Sequence, residues 1–176
     1  MSKSGYSLAT FFAYVTLFVA ILLPIIAAAI WLFWDQLAPL ASSNLPYDFD
    51  ILGLSLASRI AGFVLFLLVA LVQVYGLLGL RHSFTEAAQK RALSAKSVHG
   101  FRRFAWVSLA MVFVGVVQHT GLIVILSLSD PAHPGILDVQ FGTSELKALF
   151  MAVLLVFVAH VFAEGKSAKE ENEAFL

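Results

Sequence analysis

Apolar residues gather into four long runs, 8–34, 51–80, 104–128 and 146–163, and charged residues are largely confined to the intervals between them. A helix that crosses a bilayer needs roughly 20 predominantly apolar residues at a rise of about 1.5 Å each, and every run reaches or approaches that length. The pattern therefore predicts four spanning helices, an all-α integral membrane four-helix bundle. None of the connections holds an apolar set large enough for a core of its own, so residues 1–176 read as a single membrane domain. The first run is too long for the apolar region of a secretory signal, which is about 7 to 15 residues. It is expected to stay as the first span, with Trp31 and Trp34 as an interfacial anchor and a kink at Pro24.

Composition agrees: 60% of residues are hydrophobic and 12% charged, with mean hydropathy +0.91. A soluble globule would lack polar residues to coat its surface, so lipid is the expected coat. The absence of cysteine excludes disulfides, thiolate metal sites and cysteine nucleophiles. The 11 basic and 11 acidic residues cancel in sum, and nothing points to nucleic acid. Their distribution matters more. The connection 81–103 carries Arg81, Lys90, Arg91, Lys96, Arg102 and Arg103 against Glu86 alone. The flanking connections carry Asp35, Asp48, Asp50, Asp130, Asp138 and Glu145 with no Lys or Arg. The positive-inside rule then puts loop 81–103 in the cytoplasm, and Lys3, Lys166 and Lys169 put both termini there too.

Two stretches carry a family resemblance. Ser83-Phe84-Thr85-Glu86 follows Gly79, and Phe101-Arg102-Arg103-Phe104-Ala105-Trp106 opens the third span. The fourth closes on Ala159-His160-Val161-Phe162-Ala163-Glu164-Gly165-Lys166, then Glu170-Glu171-Asn172-Glu173. Across residues 60–176 the chain resembles the bacterial four-span membrane family called domain of unknown function 2975. The resemblance implies a bacterial inner-membrane protein and carries over no catalytic residue. The family's usual ending runs on past the acidic stretch, whereas this sequence stops at Ala174-Phe175-Leu176.

Ser83 and Glu86 have the spacing of a capping box, which predicts a short helix starting there. Ala88, Ala92, Ala95 and Val98 would share one face of it, suited to the headgroup layer or to a plain solvated connector. Charged and polar groups within spans are costly and are the natural functional pointers. Arg59 lies near the outer headgroups, where a partner among Asp50, Asp138 or Glu145 would satisfy it. Gln73 and Gln118 read more readily as interhelical hydrogen-bond partners than as ligand contacts. His119 and His160 invite a haem, but His119 sits about 23 Å from the inner start of its span and His160 about 6 Å from the inner end of its own. Two axial ligands of one iron cannot be so far apart, and satisfied or interfacial histidines are the plainer reading. His82, His99 and His160 share the inner surface without metal-ligand spacing. Small residues at Ser58 and Gly62, Gly76 and Gly79, and Ala110 and Gly115 read as helix-packing positions. Glu164 ends the fourth span, where a helix dipole disfavours negative charge, so Arg102 or Arg103 is its expected partner.

These features predict a non-enzymatic accessory or regulatory membrane protein, without a cofactor or metal, whose inner loop and C-terminal tail offer a cytoplasmic docking surface for a protein partner. A homo-oligomer in the bilayer is compatible. The competing class is a transporter or channel subunit with Gln73, Gln118 and His119 converging on one route. A haem-binding redox protein comes third.

Overall fold

The computed structural model describes residues 3–37, 46–47, 49–50, 52–132 and 134–174. Asp48, Ile51 and the terminal residues 175–176 lie outside the described residues, as do the side chains of Lys3 and Glu173. Among the described residues four long helices follow one another: α1 (Lys3–Leu32), α2 (Leu56–Ala88), α3 (Ala95–Ser129) and α4 (Thr143–Ala174). All four are long and apolar enough to cross a membrane, and only 11% to 22% of each span's most apolar window is buried within the chain. The exposed remainder, with Phe11, Phe18, Leu68, Phe113, Val117 and Phe157 among it, is left for lipid. The chain is an all-α, multi-pass membrane protein.

The helices outrun the apolar pattern. No Gly or Pro interrupts residues 80–99, so α2 continues through Arg81 and His82 to Ala88, and α3 starts at Ala95. The predicted 81–103 connection shrinks to the six residues 89–94, and the predicted surface helix from Ser83 does not exist. α1 likewise continues through Pro24.

Two compact units are distinguished by their internal contacts. The first comprises Met1–Ile21, Val72–Val112 and Thr143–Leu176. Within it α2 and α3 meet backbone to backbone: a Cβ on Gly79 would collide with the Gly100 carbonyl oxygen, and one on Gly100 with that of Gly79. Small residues permit such an approach, and in lipid the contact itself holds the helices together. The Ser83 hydroxyl, buried beside this crossing, donates to the Ser97 carbonyl at 2.7 Å. Phe12 of α1 stacks on Phe84 of α2 at 5.6 Å, and Phe101 of α3 meets Phe162 of α4 at 5.2 Å.

The second unit comprises Leu22–Leu71 and Phe113–Gly142. Its core joins Trp31, Trp34, Phe49, Leu54, Ile123 and Leu126. The two indoles stack at 4.6 Å, and Phe66 meets Trp31 edge-on at 5.7 Å. The interfacial anchor predicted for Trp31 and Trp34 is thus corrected. They are 6% and 5% exposed, because they lie three residues apart on one face of the chain and Gly62 leaves the space that Trp31 fills. Ser58 and Ser129 share a hydroxyl hydrogen bond at 2.5 Å.

Candidate functional sites

The six-residue turn between α2 and α3 is heavily specified. The Lys90 amide donates to the Ala87 carbonyl at 3.1 Å and the Arg91 amide to the Glu86 carbonyl at 2.9 Å, with Lys90 at φ 65°. This is a Schellman ending with lysine where glycine is usual. Ser94 then caps α3: its Oγ accepts the Ser97 amide at 3.1 Å and donates to Glu86 Oε2 at 2.9 Å. Glu86, 6% exposed, also receives Arg91 Nε at 3.2 Å, and Arg91 reaches Gln89. One buried carboxylate therefore ties the end of one helix to the start of the next. Its sequence spacing from Ser83 suggested a local box; its partners are instead Arg91 and Ser94.

Against this turn lies the far end of α4. A cleft of about 220 Å³ is lined by Lys90, Arg91, Leu93, Lys166, Lys169 and Glu170. Lys166 and Glu170, one helical turn apart, pair at 2.9 Å. Four cations stand against two carboxylates, Glu170 and the Glu86 bound to Arg91, so basic residues outnumber acids and a complementary ligand would be anionic.

Glu164 does not take the predicted arginine. His160, one turn earlier on α4, places Nε2 at 3.3 Å from Glu164 Oε1, a neighbour that the helix supplies without bringing two elements together. Arg103 lies over the Tyr75 ring at 4.5 Å, and its Nε is buried without a hydrogen-bond acceptor among the described residues. Arg102 is exposed.

A second arrangement, in the other unit, concerns a segment read from sequence as an outer connection. After Ser129 the chain turns back along α3. The Ile136 amide donates to Ser127 Oγ at 3.0 Å, and Thr120 Oγ1 donates to the Asp138 carbonyl at 3.0 Å. His119 Nε2 stands 3.5 Å from Asp138 Oδ2, close enough for electrostatic attraction but not aligned as a hydrogen bond. Thr120 is nine residues short of Ser129, about 14 Å back along the helix. Asp138 is therefore carried back along α3 to a position beside an imidazole. Leu137, Val139 and Phe141 are exposed, while Ile136 and Asp138 are half-buried. Burial alternates over residues 136–139, and the sequence alternates apolar and polar from Leu137 to Phe141, the pattern of an extended segment.

Arg59 pairs with Asp35, Nη2 to Oδ1 at 2.8 Å, rather than with Asp50, Asp138 or Glu145. Asp138 is occupied with α3, and Asp130 takes the Asp50 amide at 3.2 Å. Gln73 falls in the first unit and Gln118 with His119 in the second; both glutamines are half-buried. His119 and His160 also fall in different units, each beside its own carboxylate. Among the described residues no three His, Asp or Glu side chains, His82 and His99 included, cluster to hold a metal ion. Comparison with protein-family models, curated proteins and solved structures finds no match.

Proposed function

We propose that this chain is a non-enzymatic accessory or regulatory protein of the bacterial inner membrane, and that its working surface is the cytoplasmic face built by the α2–α3 turn and the last turns of α4. The observation that carries this reading is the electropositive cleft. Lys90 and Arg91 belong to a turn locked by Glu86, and Lys166 and Lys169 to a helix that projects beyond its apolar run. A fixed basic surface suits an acidic segment of a partner protein, since preorganisation lowers the ordering cost of binding and charge complementarity steers encounter. The resemblance of residues 60–176 to the domain of unknown function 2975 family supports the bacterial setting. The basic turn between acidic connections supports the orientation.

A photo-crosslinking amino acid at Leu93 tests the reading in living cells. The expected result is a covalent adduct with one protein, lost when Lys90, Lys166 and Lys169 are replaced by Gln. Adducts with lipid alone, or an adduct indifferent to those lysines, would refute it. A second reading, a proton- or ion-conducting subunit, draws on the His119–Asp138 pair, since intramembrane ionisable residues mark such routes. Proton leak in proteoliposomes, abolished by Asp138→Asn, would favour that reading instead.

A further inference from the structure

A groove of about 570 Å³ runs between α3 and α4, with apolar walls from Trp106, Val153 and Phe157 and with Arg102, His160 and Ala163 toward its other end. From Val153 to Ala163 it follows α4 for ten residues, about 15 Å at 1.5 Å per residue. That is half of a hydrocarbon core of about 30 Å, the depth of one leaflet.

One end of the groove is apolar and the other carries Arg102, the polarity of a lipid's acyl chain and anionic headgroup. Arg102 precedes Trp106 by one turn on α3, so the guanidinium can reach toward the headgroups while the indole flanks the apolar channel. Arg102 is exposed, and no ion pair of it is found among the described residues. The nearby acid on α4, Glu164, is engaged by His160 at 3.3 Å. Guanidinium offers paired donors that match phosphate oxygens, and basic pockets between spanning helices accept anionic headgroups. An apolar furrow open to a bilayer fills with hydrocarbon rather than water.

We propose that this groove binds one anionic glycerophospholipid, with an acyl chain along Trp106, Val153 and Phe157 and the phosphate on Arg102. The site is separate from the cleft at the turn and does not depend on which leaflet faces the cytoplasm.

The test uses the full-length protein, delipidated in detergent and offered equimolar dioleoyl phosphatidylglycerol and dioleoyl phosphatidylcholine, with bound lipid counted by native mass spectrometry. The protein should retain one phosphatidylglycerol in preference. Arg102→Gln should lower that preference about fivefold, the effect of one basic side chain near an anionic headgroup, while Arg102→Lys should keep most of it. Val153→Trp or Ala163→Leu, each filling the groove, should lower occupancy by both lipids with helix content and melting temperature unchanged. If either misfolds, the other carries the arm. Glycerol 1-phosphate, a headgroup without chains, should not displace the lipid. No preference in the native protein, an unchanged ratio in Arg102→Gln, full occupancy in a folded groove-filling variant, or displacement by glycerol 1-phosphate would each overturn the proposal.

Discussion

Glu86 and Arg91 are joined twice: the Arg91 amide donates to the Glu86 carbonyl at 2.9 Å, and Arg91 Nε lies 3.2 Å from Glu86 Oε2. In a Schellman ending these two positions usually make an apolar contact. Here an ion pair takes its place, and the buried carboxylate keeps a further acceptor for Ser94.

The turn predicts opposite effects from neighbouring substitutions. Lys90→Gly should raise stability by about 0.5 to 1 kcal/mol, because φ 65° carries a steric cost for every side chain but glycine. Ser94→Ala should lower it by about 0.5 to 2 kcal/mol through loss of the α3 cap. Arg91→Gln should lower it by about 1 to 3 kcal/mol, because the buried Glu86 carboxylate loses its cation and keeps Ser94. Thermal melting in detergent separates the first from the other two.

Glycines at different positions in the helices should respond differently to alanine. Gly79→Ala and Gly100→Ala each push a methyl into a carbonyl and should cost about 1 to 3 kcal/mol. Gly115→Ala meets nothing within 4 Å and should be neutral or stabilising by up to about 1 kcal/mol. Equal losses at all three would contradict the crossing.

Asp138 should be coupled to His119. Single replacements Asp138→Asn and His119→Gln should each cost about 0.6 to 1.7 kcal/mol, the range of polar contacts between membrane helices. The double variant should lose less than the sum. Strict additivity would mean that the 3.5 Å approach carries no energy.

Topology can be read in intact cells with an impermeant maleimide. Ala132→Cys should react and Ala92→Cys, in the basic turn, should not. The reverse pattern would invert the orientation and move the electropositive cleft to the outside.

Spans were legible because twenty apolar residues in a row leave a chain few alternatives to lipid. Their ends were not. Residues 81–88 are polar yet helix-compatible, and hydropathy cannot distinguish a helix that continues into the headgroups from one that stops. Glu86 was read with Ser83, three residues earlier, whereas its partners follow it in the turn and at the α3 cap. The Glu164 partner was sought at a distance when His160 stood one turn away. Trp31 and Trp34 were assigned to the interface by residue type, and only the space at Gly62 shows why they are buried. Asp138 was missed for a different reason: charge counting treats a connection as lying outside the bilayer, while the alternation from Leu137 to Phe141 describes a segment with one apolar face.

The Gly79–Gly100 crossing decides which parts of its unit are free to move. The Gly79 and Gly100 backbones approach too closely to admit one added carbon, so this crossing holds α2 and α3 together as a frame. α4 has no such constraint: among its described side chains only Ala152 and Ala159 are buried, and it meets its neighbours through side chains. Because one helix lines both places, a shear of α4 along that frame would widen or narrow the furrow beside Trp106 and shift Lys166 and Lys169 against the turn in the same stroke.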